Sequence, residues 1–225
     1  MRFRGKRYKK ELEQSSSESM GLAGAVEKVK SFNSAKFDQT VECVLQLGID
    51  PKQADQIVRG SISLPHGIGK QKKVVAFCQD SDIEAAKKAG AIEAGCDELI
   101  EKISGGWMDF DVAIASPKVM GKASKLGRVL GPQGKMPSPK KGTVTDDIAT
   151  AVAEFAAGKV EFKNDAGGNV HVLVGKQSFE ATKLIGNIEA FVSHIKKIKP
   201  AAAKGTYIKK MCISATMSPS VAVSV

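Results

Sequence analysis

Lys72-Lys73-Val74-Val75-Ala76-Phe77-Cys78, then a helix-like run from Asp82 to Gly90, then Phe110-Asp111-Val112-Ala113-Ile114-Ala115: this stretch decides the fold class. Both apolar runs are of strand length and continuous, the pattern of strands covered on both faces, and a helix between two such strands makes a βαβ unit with a parallel sheet. Upstream the texture is different. From Thr40 to Gly48, Val41, Cys43, Leu45 and Leu47 alternate with Glu42, Val44 and Gln46, which predicts a strand with one buried face. A second strand is expected over Ile57 to Leu64, after the break at Asp50-Pro51, and Pro65-His66-Gly67-Ile68-Gly69 then suits a crossing between domains.

Downstream, Thr145-Asp146-Asp147 has the composition of a helix cap, with the helix running to Gly158 and the return crossing at Gly158-Lys159. Val160 to Lys163, the turn Asn164-Asp165-Ala166-Gly167-Gly168 and Val170 to Val174 together predict a β-hairpin. A helix from Ser178 to Lys197 places Phe179, Leu184, Ile188, Phe191 and Ile195 on one face, and Tyr207 to Ile213 resumes strand character. Gln14-Ser15-Ser16-Ser17-Glu18 links two N-terminal helices. The expected fold is α/β with two domains. One is a discontinuous α+β domain from residues 1–67 and 159–225; the other is an α/β domain inserted over 68–158.

Charge follows the same division. The net charge is +10, and residues 1–10 carry Arg2, Arg4, Lys6, Arg7, Lys9 and Lys10 without an acid. Residues 190–225 carry Lys196, Lys197, Lys199, Lys204, Lys209 and Lys210, again without an acid, whereas 79–111 holds nine acids against three lysines. A basic body with an acidic insertion suits a polyanionic partner such as nucleic acid. No apolar run approaches the ~18–20 residues of a membrane span, and no secretory signal follows the basic N-terminus. The expectation is a soluble, intracellular chain.

Ser124 to Val144 joins five cations, Lys125, Arg128, Lys135, Lys140 and Lys141, to four glycines and three prolines without a carboxylate. It reads either as a stiff loop that meets an anion or as a solvated surface. It is not a P-loop, since Val129 stands where the first glycine should be and Met136 where the hydroxyl should follow Gly134-Lys135. Gly67-x-Gly69 lacks the third glycine of a dinucleotide fingerprint. Cys43, Cys78, Cys96 and Cys212 form no Cys-x-x-Cys pair and read as core thiols rather than metal ligands. His66, His171 and His194 belong to no ligand motif, and Asp109, Asp111, Asp146 and Asp147 suit strand edges and a helix cap better than acid–base pairs. No metal, cofactor or catalytic constellation is expected. Lys36-Phe37 before the first strand could stack on a base while its lysine meets phosphate, although periodicity favours a core place for Phe37. Thr216-Met217-Ser218-Pro219 is similarly open.

Ordered motifs along almost the whole chain resemble one family. They are Gly5-Lys6-Arg7-Tyr8, Ala35 to Glu42, Leu47-Gly48-Ile49-Asp50-Pro51, Val58-Arg59-Gly60 with Leu64-Pro65-His66-Gly67, and Gly106-Trp107-Met108-Asp109-Phe110-Asp111. Lys125 to Pro132, Glu161 to Asp165, Lys204-Gly205-Thr206 and Thr216-Met217 complete the set. The chain resembles the bacterial ribosomal protein L-one family, of the lateral stalk of the large ribosomal subunit.

The resemblance implies a Rossmann-like inserted domain without cofactor or enzymatic activity, and a first domain that binds large-subunit rRNA. It further implies a cytoplasmic, ribosome-bound protein, monomeric when free, that assists release of deacylated tRNA from the exit site and represses translation by binding the messenger of its own operon. Carried over by position, the RNA-binding residues are Lys36, Phe37, Thr40 and Glu42, with Lys163, Asn164, Asp165 and His171, and Thr216, Met217 and Ser218. The basic loop becomes a secondary contact. Three departures stand out: Ser218 replaces a usual glycine, and Ile57 and Ser138 replace usual asparagines.

Overall fold

A computed structural model describes residues 5–15, 18–32 and 35–224, without the side chain of Lys140. Arg2 and Arg4, and part of the serine link at 16–17, lie outside the described residues. The chain opens with α1 (Lys6–Gln14), α2 (Leu22–Ser31), β1 (Thr40–Leu47) and β2 (Arg59–Ile62). It continues through β3 (Val74–Phe77), α3 (Ile83–Lys88), β4 (Glu93–Gly95), α4 (Asp97–Ser104), β5 (Val112–Ala115), α5 (Met120–Ala123), α6 (Gly127–Leu130) and α7 (Ile148–Ala156). It closes with β6 (Val160–Lys163), β7 (Asn169–Lys176), α8 (Ala181–Lys197), β8 (Ile208–Ala215) and β9 (Val221–Val223). Two compact units result, one from residues 1–69 with 160–225 and one from residues 70–159.

In the inserted unit, β3 lies between β4 and β5, and all three run parallel. Val74 and Ala76 point to one face and pack with Ala86 of α3 and Val152 and Phe155 of α7. Val75 and Phe77 point to the other, toward Leu99 and Ile103 of α4 and the buried Leu126 and Leu130. Apolar cover on both faces is why these strands read as unbroken apolar runs. Asp147 caps α7, its carboxylate accepting from the Thr150 amide at 3.2 Å and the Thr150 hydroxyl at 2.7 Å. Those two bonds hold its carboxyl below the usual range.

The first unit is built on an antiparallel sheet in the order β7-β1-β8-β9. The alternation of β1 becomes a two-sided strand: Val41, Cys43, Leu45 and Leu47 are buried, while Thr40, Glu42, Val44 and Gln46 are half-buried. The buried side meets α2 through Ala25, Val26 and Val29, and α8 through Leu184, Ile188, Phe191 and Ile195. Burial pushes the Cys43 thiol up to about 12. Cys78 is buried too, but Cys96 and Cys212 are only half-buried, so two of the four expected core thiols are core residues in full.

Two expectations change. Val160–Lys163 and Val170–Val174 do not form a hairpin: β6 pairs with β2, β7 pairs with β1, and only an isolated bridge between Asn164 and Val170 joins them. The cause is local, since Asn164 turns its side chain to the Val58 amide at 2.9 Å and commits this end of β6 to the β2 side. In the basic segment, residues 124–130 form a 3-10 turn followed by α6 rather than a loop, because Leu126 and Leu130 are pulled into the core of the inserted unit.

A buried amide, absent from the predicted helix face, ties the first unit together. Asn187 is fully buried on the inner face of α8. Its Oδ1 accepts from the His66 amide at 3.0 Å, and its Nδ2 donates to the carbonyls of Gly67 at 2.9 Å and Val174 at 2.8 Å. Asn187→Leu leaves these three backbone groups without partners and should lower the urea unfolding free energy by about 2–4 kcal/mol. His194, one turn before the end of α8, has a buried Nε2 without a hydrogen-bond partner and sits edge-on to Phe162. Burial, assisted by Lys197, holds its imidazole below the ordinary 6.5. The unfolded chain therefore takes up this proton first, so stability is retained above about pH 6.5 and lost as the pH falls toward the lower folded value. Urea midpoints at pH 7.5 and 5.5 should differ less in His194→Leu than in the wild type.

Candidate nucleic-acid interface

The predicted site residues fall into three groups along the uncovered side of β1. At its start, Thr40 and Thr216 are locked together. The Thr40 amide donates to the Thr216 hydroxyl at 3.1 Å, and the Thr216 amide donates to the Thr40 carbonyl at 3.1 Å. Gln39, fully buried beneath them, accepts from the Met217 amide at 2.9 Å and donates to the Phe32 carbonyl at 3.3 Å. Arg7 of α1 donates to the Met217 carbonyl at 2.9 Å, so both backbone groups of this residue are held. The Met217 side chain, 52 % exposed, projects from a fixed backbone.

Phe37 is presented in the same way. Asp38 accepts from the amide and hydroxyl of Ser178 at 3.0 and 2.8 Å, which anchors the loop beside it. Phe37 itself is 50 % exposed, not a core residue as periodicity suggested. Leaving part of a phenylalanine in water forgoes some of the about 1.5–3 kcal/mol that full burial supplies, so its exposure has no structural benefit. Lys36 next to it is exposed, and Lys176 donates to the Thr40 hydroxyl at 2.8 Å.

Lys176 reaches this position because of a bulge. Val41 pairs with Gly175 but Glu42 pairs with Leu173, leaving Val174 as the additional residue. Val174 and Gly175 are both buried, which reverses the alternation for Lys176. A Cβ on Gly175 would lie 2.8 Å from Leu184, so only glycine fits beneath α8 here. Ser218, the departure from the family pattern, sits where its hydroxyl accepts from the Ala215 amide at 3.0 Å. No described non-glycine residue has a positive φ, so the turn at 215–218 uses an ordinary backbone conformation and the serine closes it.

In the middle of the strand, Glu42 lies across from Leu173 on one side and Ser214 on the other. Its Oε1 is 3.2 Å from Nδ1 of His171, whose Nε2 is 3.8 Å from a carboxylate oxygen of Asp165. Beyond it, toward the other end of β1, are Lys163, Asn164 and Asp165. From Thr40 to Gln46 is six residues, about 20 Å of extended chain. Lys163 is exposed. Asn164 is buried, its Oδ1 on the Val58 amide and its Nδ2 on the Asp165 carbonyl at 3.0 Å. Asp165 organises the turn, accepting from the amides of Gly167 at 2.8 Å and Asn169 at 2.7 Å and from the Asn169 side chain at 3.0 Å. The bonds from Asn169 chiefly hold its carboxyl below the usual range.

The basic segment belongs to the inserted unit and is partly consumed there. Lys135 donates to the carbonyls of Met108 at 3.2 Å and Phe110 at 2.6 Å and lies 5.0 Å from the Phe110 ring centroid. Lys141 donates to the Gly134 carbonyl at 3.0 Å. Lys125 and Arg128 are exposed. The side chain of Lys140 lies outside the described residues. The residues that sequence reasoning did not assign to the interface are Arg7, Gln39, Lys176 and the exposed Leu173. Only Gly175, which follows the apolar run Val172-Leu173-Val174, signalled one of them.

Residues 29–219 match the model of the Ribosomal protein L1p/L10e family. A protein of Rhodopirellula baltica named large ribosomal subunit protein uL1 is 55 % identical over 221 residues, covering 98 % of each chain. One of the same name from Chlorobaculum tepidum is 50 % identical over 202 residues, covering 90 % of this chain and 87 % of the relative.

Asp165→Ala should speed amide hydrogen exchange at Gly167 and Asn169 while leaving β8 and β9 protected. Unchanged exchange at those two amides would show that Asp165 does not hold the turn. With its motifs in order along the chain and relatives matching over nearly all of it, this protein belongs to the Ribosomal protein L1p/L10e family.

Proposed function

We propose that this chain is a non-enzymatic structural component of the large ribosomal subunit, ribosome-bound in the cytoplasm, and that its first unit binds large-subunit rRNA. The observation that carries the reading is the pair Phe37 and Met217, each half-exposed, on backbone held rigid by Asp38, Gln39, Thr216 and Arg7. Apolar and aromatic side chains presented this way suit unstacked bases, and rigid presentation reduces the entropy lost on binding. Lys36 and Lys176 supply phosphate neutralisation beside them, while Glu42, His171 and Thr216 offer groups that can meet base edges and 2′-hydroxyls. Asn164 and Asp165 act by shaping the turn that carries this end of the face.

The two compact units are then the two domains of a lateral-stalk protein. In that role it borders the tRNA exit site and assists the release of deacylated tRNA. The same RNA face binds the messenger of its own operon and represses its translation, since one rigid surface recognises any RNA that presents the same shape. Lys125 and Arg128 of the inserted unit make secondary RNA contacts.

Filter binding of the purified protein to large-subunit rRNA over a salt series, with excess tRNA as competitor, tests the reading. Binding should survive the competitor and weaken as salt rises. Phe37→Ala should weaken it by about 5- to 150-fold, given about 1–3 kcal/mol for a lost stacking contact, and Met217→Ala should weaken it further, with the urea midpoint unchanged. Binding that the competitor abolishes would reduce the surface to a nonspecific basic one.

A further inference from the structure

The ribbon of β2 and β6 sets Arg59 directly opposite Lys163. Residues opposed in this way project from the same face of an antiparallel pair. Both are exposed, while Val58, Ile62, Val160 and Phe162 face the core. Two cations in this relation repel each other and weaken the pairing. Neither side chain has an ion-pair or hydrogen-bond partner among the described residues. The nearest acid along the ribbon, Glu161, is two pairs further on and on the same face, opposite Ser61. Asp165, two residues after Lys163, has its carboxylate engaged by Gly167 and Asn169.

A repelling pair without internal neutralisation is what an external anion would relieve. Its position agrees: Asn164 fixes Val58 immediately beside Arg59, and the adjoining turn continues through Asp165 and His171 to Glu42. The cationic pair therefore lies next to the turn and the His171 side of β7.

We propose that Arg59 and Lys163 together bind phosphates of the same RNA that Phe37 and Met217 engage, so that the RNA runs from the start of β1 across β7 to the β2–β6 ribbon. This rests on the rRNA-binding reading above. Arg59 brings a planar fork suited to two phosphate oxygens, and Lys163 a point charge beside it. Binding removes their mutual repulsion, so free-protein stability and RNA affinity respond oppositely to their loss.

The test compares wild type, Arg59→Gln, Lys163→Gln, the double variant and Arg59→Glu by filter binding to large-subunit rRNA, with tRNA competitor, from about 50 to 200 mM salt. Each single glutamine variant should reduce the slope of log K against log salt by about 0.7–0.9, and the double variant by about 1.5. Urea midpoints should stay equal or rise. Arg59→Glu should raise the midpoint, by pairing with Lys163, and weaken binding more than Arg59→Gln. An unchanged slope in the double variant, with wild-type binding intact, overturns the proposal, as does a fall in midpoint in the single glutamine variants. Wild-type binding lost to the competitor overturns the rRNA reading itself.

Discussion

β1 is hydrogen-bonded on both sides, by β7 along one edge and β8 along the other, and both partners belong to the last third of the chain. Among the described residues of the first seventy, none pairs with the strand on either side. Its buried side chains likewise need α8, which follows β7. The sheet, its core and its uncovered face are therefore one cooperative object assembled from distant segments. Unpaired buried backbone groups are costly enough that a half-built version has no stable form.

Within that object most of the buried polar groups are amides, with Glu11 of α1, paired with Arg7, the charged exception. Gln39, Gln177 and Asn187 each meet backbone groups of segments far away in sequence. Neutral amides give directional bonds without the desolvation cost of a buried ion pair, and they place loops where packing alone would leave them adjustable. The exposed residues of the candidate face stand one bond away from this network. Their positions are set by Gln39 and Asp38, not by their own contacts, which is how an apolar side chain can be kept in water without loosening the chain.

The parts legible in the sequence were those governed by local periodicity. Thr40–Leu47 alternated and became a strand with one buried and one half-buried face, Val74–Phe77 did not alternate and became a strand covered twice, and Asp147 was readable as a cap because its partner, Thr150, is three residues away. What escaped was set by distant neighbours. Val160–Lys163 looked like the first arm of a hairpin, yet its partner strand lies about a hundred residues earlier. Glu93–Gly95 and Val221–Val223 are too short to carry a periodic signal. Phe37 had the spacing of a core residue, and only the anchoring of Asp38 by Ser178 turns it outward.

The placement of the inserted unit has a consequence for synthesis. Residues 70–159 contain all three strands of the parallel sheet and the helices that cover them. This unit has its complete core as soon as α7 leaves the ribosome. The first unit does not, because β8 and β9 follow α7 in the chain. Between the emergence of α7 and that of β8 the nascent chain carries a finished inserted unit and a β1 whose β8 edge is still unpaired. The candidate RNA face comes into existence only when the C-terminal strands emerge. A chain that stops short of β8 leaves one edge of β1 unpaired and lacks Thr216 and Met217, so truncated products do not form this face.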